Sequence, residues 1–160
     1  MGLRISAREI SAILGAARGF HGHVGPFLVL GVRAGVIGLR ELETVKENKD
    51  LRVKASLLYS LPYSCILDWL QVATGCTIGN KRLTFENLPS FTISFATSKG
   101  GAVTVSILRN ALEDLKSELA RSAGSQEVER LAFTVSSKAE SELLVVHRRQ
   151  AGRDMELEQQ

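Results

Sequence analysis

Two of the chain's three histidines stand two residues apart, in Phe20-His21-Gly22-His23-Val24, just ahead of Pro26. In an extended loop, side chains two apart point the same way, so both imidazoles can converge on one metal ion or one anion. Proline favours the first position of a helix, and a helix starting at Pro26 aims free N–H groups and its positive dipole end at that loop. That geometry favours an anionic ligand. The plainer alternative is a pair of loop histidines hydrogen-bonded to nearby carbonyls. A second group lies at Ser64-Cys65-Ile66-Leu67-Asp68. Cys65 in the first turn of a helix is expected to have its thiol pKa lowered by the dipole, which makes thiolate more available. Asp68 falls one turn further along the same face. Against this, a lone cysteine commonly serves as a small core hydrophobe.

Cys76, in Thr74-Gly75-Cys76-Thr77-Ile78-Gly79, is a further ligand-binding candidate. It follows Cys65 by eleven residues. A continuous helix between them would part the sulfurs by ~15 Å. The two cysteines of one chain should then share neither a disulfide nor a metal ion, unless the helix breaks or a second subunit intervenes. Simple up-and-down connections start the Pro26 helix and the Ser64 helix at the same end of the sheet. His21, His23, Cys65 and Asp68 then meet at one rim, with Cys76 at the far end.

The elements that must hold these groups follow from periodicity and breakers. Ser6-Ala7-Arg8-Glu9 reads as a capping box opening a helix that carries Ile13, Leu14 and Ala17, with Gly19 as its stop. A helix from Pro26 to about Leu42 is apolar nearly all round and belongs in the core. Gly31, Gly35 and Gly38 lie along one side of it, each at a cost of about 1 kcal/mol relative to alanine, which implies very close packing of another backbone. Leu51 to Tyr59 reads as a strand. A helix follows from Ser64, its cap, to Thr74, with Gly75 as a left-handed stop. Arg82–Phe85, Phe91–Thr97 and Ala102–Ile107 read as strands joined by short turns, hence as antiparallel neighbours. Asn110 with Glu113 caps an amphipathic helix ending at Gly124, and a further helix is expected over Gln126 to Ser136. Ser137-Lys138-Ala139-Glu140 is a third capping box, ahead of a last strand from Leu144 to His147. This order gives an α+β layer fold with a mixed sheet, in a single domain over 1–147. A charged tail over 148–160 is expected to fray.

Composition bounds the function. The chain has 160 residues, 44% hydrophobic and 23% charged, enough for one core without disulfides or a structural metal. Two cysteines and three histidines exclude a four-cysteine zinc finger within one chain. The net charge of +3 comes from Lys and Arg scattered among acids, and aromatics make up only 6%. Both features argue against nucleic acid as a partner. Phe27 to Leu39 is too short to span a bilayer and carries Arg33, so no membrane partner and a cytoplasmic location are expected.

Taken together, Phe20-His21-Gly22-His23, Pro26, Gly31, Arg33, Cys65, Asp68, Gln71, Thr74-Gly75-Cys76-Thr77 and Gly79 resemble the pattern of the formylmethanofuran dehydrogenase E-subunit family. The resemblance covers roughly residues 6 to 108, with a looser echo around 140–146. It implies an α-β-α-β-β-β core, a homodimer, other enzyme subunits as partners, and a metal near the histidines and cysteines. The family is named for a non-catalytic subunit, the molybdenum or tungsten chemistry belonging to other chains. Two departures stand out. Gly25 replaces the cysteine expected before the proline, and no cysteine follows Cys76 in these 160 residues, so the family's C-terminal zinc-binding module is not expected in them. The resulting expectation is an accessory protein that binds a metal or small ligand through His21, His23, Cys65 and Asp68. His21, His23 and Cys65 would be the metal ligands, and zinc the natural ion for imidazole and thiolate, with nickel or iron as alternatives. The competing readings are an enzyme using an open metal position or Cys65 as nucleophile, and a structural paralogue without metal.

Overall fold

The computed structural model describes residues 7–149. The chain forms α1 (Ala7–His21), α2 (Pro26–Glu41), β1 (Arg52–Leu57), α3 (Cys65–Thr74), β2 (Leu83–Asn87), β3 (Thr92–Ala96) and β4 (Ala102–Ile107). After these come α4 (Arg109–Arg121), α5 (Ser125–Ser137), the single turn α6 (Glu140–Leu143) and β5 (Leu144–Arg149). The five strands make one mixed sheet in the order β2-β1-β3-β4-β5, so the architecture is α+β as expected.

Burial alternates along the strands. Val53, Ala55 and Leu57, with Ile93, Phe95, Val103, Val105 and Ile107, are buried on one face. Their neighbours Lys54, Ser94 and Thr104 look the other way and are only half-buried or exposed. Period-two burial of this kind makes a sheet with helices on one face. α2 lies at the centre of the helical layer, packed against α3, α5, β3 and β4, which explains why it is apolar nearly all round.

The close approach implied by the α2 glycines is present. A Cβ added at Gly31 would sit 2.5 Å from the Ile66 carbonyl oxygen, and one at Gly35 would sit 2.8 Å from the Ala73 Cβ. At Gly38 it would collide with the Phe95 ring. The Gly31–Ile66 and Gly35–Ala73 contacts advance together along both helices, so α2 and α3 run parallel and start at the same end, as the connectivity argument required. Arg33, the one charge in this helix's buried stretch, donates from Nη1 to the carbonyls of Val135 (2.9 Å) and Lys138 (2.5 Å). It thereby caps the C-terminal end of α5, where orphan carbonyls need donors.

Several local expectations are corrected. α1 does not stop at Gly19. It continues to His21, and Gly22 (φ 91°) makes the left-handed turn, its N–H donating to Arg18 O at 3.1 Å. β2 is not an antiparallel neighbour of β3: it pairs parallel with β1, with α3 as the crossover, and β1 stands between them. Only β3 and β4 form the expected hairpin. Leu108, not Asn110, is the N-cap of α4, and Gly124 starts α5 rather than ending α4. The Ser137–Glu140 box is replaced by an Ala139 N–H to Glu142 Oε2 bond of 2.8 Å. Arg148 and Arg149, assigned to the tail, complete β5, with Arg148 paired to Glu41. Ser6 and residues 150–160 lie outside the described residues. None of the described helices is long and apolar enough to cross a membrane.

Two outcomes test this account. Gly31→Ala should destabilise the fold by about 1–3 kcal/mol, overpacking outweighing the helix-propensity gain. Gly15→Ala on the exposed face of α1, where an added Cβ meets nothing within 4 Å, should stabilise by up to ~1 kcal/mol. Chemical denaturation of both variants reads the contrast, and equal effects would refute the close-packing explanation. The second concerns Arg40, bidentate to Glu140 (2.6 and 2.9 Å) and bonded to Glu41 (2.9 Å). The Arg40 bond holds the Glu140 carboxyl below the usual carboxylate range, and the Arg148 bond does so for Glu41, with Arg40 reinforcing it. A depressed folded-state pKa adds stability above the unfolded value, near ~4.3, and that stability is lost as pH falls. Thermal melts should therefore drop further between about pH 5 and pH 2 in the wild type than in Arg40→Met.

Candidate functional site

The parallel β1-α3-β2 unit decides where a site can form. The carboxyl ends of β1 and β2 lie at the same edge, and the chain leaving β1 must turn there into the first residue of α3. Crevices at the carboxyl ends of parallel strands are the usual binding places of open α/β sheets. Here the crevice is a cleft of about 260 Å³. α1 delivers His21 as its last residue, and α3 contributes Ser64 (its N-cap position), Cys65, Leu67, Asp68 and Gln71. Tyr59 and Leu61 come from the β1–α3 connection, Phe85 from β2 and Ile78 from the turn after α3.

The central polar contact is His21 Nδ1 to Asp68 Oδ2 at 2.5 Å, between residues 47 apart in sequence. The His21 side chain is 15% exposed and that of Asp68 36%. With Nδ1 held by the carboxylate, Nε2 is the nitrogen left for a ligand. The His21 and His23 rings are neighbours, with centroids 4.7 Å apart and planes tilted by 56°. They open into different spaces. His23 lines a smaller hollow of about 40 Å³ with Gly25, Pro26 and Leu28 at the start of α2, and Cys65 borders both spaces. The fold thus brings His21, Asp68 and Cys65 to one cleft, and His23 and Cys65 to an adjoining one.

Cys65 corrects an expectation. Its thiol is pushed up, chiefly by burial and then by the Asp68 carboxylate, not down by the helix end. The Cys65 backbone N–H still favours the thiolate, but burial and the Asp68 carboxylate outweigh it. The N–H groups of Ser64, Cys65, Ile66 and Leu67 donate to the carbonyls of Ser60, Pro62, Tyr63 and Ser64 at 3.0–3.2 Å. Ser64 accordingly makes no side-chain cap bond. Cys76 is elsewhere. It is fully buried, donates from Sγ to Leu51 O at 3.5 Å, and has its thiol pushed up by burial. It belongs to a turn satisfied from within: Asn80 accepts from Thr77 N and Arg82 N and donates to Gly75 O, while Arg82 donates to Gly75 O and Asn48 O. That turn sets Ile78, whose N–H donates to Gln71 Oε1 at 3.2 Å, on the cleft rim.

The donor set for zinc, nickel or iron expected at His21, His23 and Cys65 is not gathered. Among the described residues no group of three or more His, Cys, Asp or Glu side chains is placed to hold a metal ion. The rings part company: His21 lines the cleft with Asp68, whereas His23 lines the smaller hollow. A Cβ at Gly25 would lie 3.8–3.9 Å from His23 ring atoms, so the cysteine that the resemblance places at this position would stand beside that imidazole.

The aromatic wall of the cleft escaped the sequence. Tyr59 and Phe85 stack with centroids 4.9 Å apart and a 30° tilt. They meet only because β2 runs parallel to β1, in the register that pairs Ala55 with Phe85 and lets Asn87 Oδ1 accept from Tyr59 N. A strand–helix–strand reading of 52–87 was the signal that could have joined them.

The Cys65 environment makes a measurable statement. Alkylation by iodoacetamide at neutral pH should be slow in the folded protein and rise with pH. Asp68→Asn, which removes the repelling carboxylate, should speed it at neutral pH. An Asp68→Asn rate no faster than wild type would show that burial alone governs the thiol.

Comparison with known proteins adds a lineage. Residues 20–155 match the family described as FmdE, molybdenum formylmethanofuran dehydrogenase operon. A probable S-adenosyl-L-methionine-binding protein of Archaeoglobus fulgidus is 33% identical over 130 residues, a match covering 74% of this chain and 35% of that protein. The chain therefore spans about a third of that relative's length. An FmdE-like protein of tungsten formylmethanofuran dehydrogenase type, from Syntrophus aciditrophicus, has the same fold, with a TM-score of 0.59 at 17% identity over 100% of this chain and 82% of the other. The chain belongs to the FmdE family.

Proposed function

We propose that this FmdE-family chain is a small-ligand-binding accessory domain whose ligand sits in the cleft at the carboxyl ends of β1 and β2. The observation that carries the proposal is the 2.5 Å contact of His21 Nδ1 with Asp68 Oδ2, a polar pair lining the same cleft as the aromatic Tyr59 and Phe85. Pockets that bind small molecules combine apolar walls with placed polar groups, and this cleft sets His21, Ser64, Asp68 and Gln71 beside apolar and aromatic side chains. Binding is favoured over nucleophilic catalysis because burial and the Asp68 carboxylate push the Cys65 thiol up, which disfavours the attacking thiolate. A small organic ligand is favoured over a resident metal because the donors do not converge among the described residues. S-adenosylmethionine is the first compound to try, since a relative 33% identical over the matched stretch is named for it.

The test is a set of ¹⁵N-resolved titrations with S-adenosylmethionine and a fragment library, read at the backbone amides of residues 65–71. Binding should shift those amides saturably. His21→Ala should weaken the hits roughly tenfold or more, by about 1.5–3 kcal/mol for a lost bond at a charged pair. A library without a single hit at these amides would remove the site. Elemental analysis accompanies it, with the same metal content expected in wild type and the His21→Ala, His23→Ala double variant. One metal per chain that the double variant loses would replace the organic ligand by a zinc-type centre.

A further inference from the structure

The charge of the ligand can be read from what surrounds the cleft, on the reading that the cleft is the binding site. Of the described residues that line it, none is lysine or arginine, and the one group with formal charge besides the imidazole is Asp68. The backbone offers no substitute cation. A helix N-terminus attracts anions through unbonded amides, but the N–H groups of residues 64–67 at the start of α3 are all bonded to carbonyls of residues 60–64. Two basic side chains that reach α3 are engaged at its other end. Lys46 Nζ donates to Val72 O, and Arg82 donates to Gly75 O and Asn48 O. Lining the same cleft as Asp68 are the stacked aromatic rings of Tyr59 and Phe85, with the exposed Leu61 and Ile78 at the rim. Aromatic faces carry partial negative charge and attract cations. The pair His21–Asp68 carries a net charge of zero or minus one, according to whether the imidazole holds a second proton.

We infer that the cleft selects compact organic cations, an ammonium or sulfonium joined to an apolar or aromatic body, and rejects carboxylates and phosphates of the same size. The cationic centre lies between the Asp68 carboxylate and the Tyr59 ring, and the apolar body lies against Phe85, Leu61 and Ile78. The anion preference argued from the Pro26 helix start concerns α2, whose first residues border the smaller His23 hollow rather than this cleft.

Three probes of matched size separate charge from shape: benzylamine, benzyl alcohol and phenylacetate, each titrated into the full chain by ¹⁵N-resolved spectroscopy at neutral pH. Benzylamine should bind about tenfold more tightly than phenylacetate, the scale of one partly exposed ion pair gained against one like-charge contact. Benzyl alcohol should fall between them. Asp68→Asn, whose unchanged spectrum away from the cleft reports an intact fold, should compress the benzylamine-to-phenylacetate ratio toward one. Equal binding of the amine and the acid, or tighter binding of the acid, would overturn the charge selection while leaving the cleft as a ligand site. No response to any of the three at the cleft amides would overturn the cation preference too, and the fragment screen then decides whether the cleft binds anything.

Discussion

The contact of α2 with α3 through Gly31 is the constraint on which the remaining structure rests. With no side chain at Gly31, the helix surface can meet the Ile66 carbonyl directly, and Trp69 packs against the same spot. Because Gly31, in the second turn of α2, meets Ile66, in the first turn of α3, the two parallel helices begin at the same end, about one turn apart. The loop entering α2 and the loop entering α3 are thereby brought side by side. His21 precedes the first loop and Asp68 follows the second, and their short contact is a consequence of helix packing rather than of local sequence. Core burial on the sheet side, where Phe95 fills the space beside Gly38, fixes the rotation of α2 and so the direction of its entering loop.

The second determinant is topological. β1 and β2 are parallel with α3 crossing between them, whereas the other neighbouring strands are antiparallel. Among the described strands, this parallel pair is where two strand ends and a helix start coincide, and the cleft lies there. The turn after α3 serves this arrangement by holding Ile78 at the rim through Gln71. The Thr-Gly-Cys-Thr segment is thus explained by hydrogen bonds that close a tight corner. Its cysteine is core, as its full burial and carbonyl partner show.

Much of the fold was readable from residue order because the signals were local. The apolar period of α2, its proline start, the Gly75 stop and the β3–β4 turn all reflect nearest-neighbour physics. The meeting of His21 with Asp68 was readable for another reason: helix direction can be counted along the chain. What failed depended on non-local facts. A short β2–β3 turn looks antiparallel until β1 claims the position between them, and no local residue announces that. Gly19 and Gly22 are equally plausible stops, and only the second takes a positive φ. The thiol direction failed because burial and the neighbouring Asp68 carboxylate, both consequences of tertiary packing, outweigh the backbone N–H that favours the thiolate. The aromatic wall depended on sheet order, so it was hidden with it.

The bonded first turn of α3 also bears on how the protein behaves when no compound is at hand. A mouth whose backbone groups already have partners needs nothing from a visitor to be complete, and the fold closes around it as it would around any ordinary corner. A compound bound at the proposed site would then add stability only by mass action, growing as the logarithm of concentration over affinity.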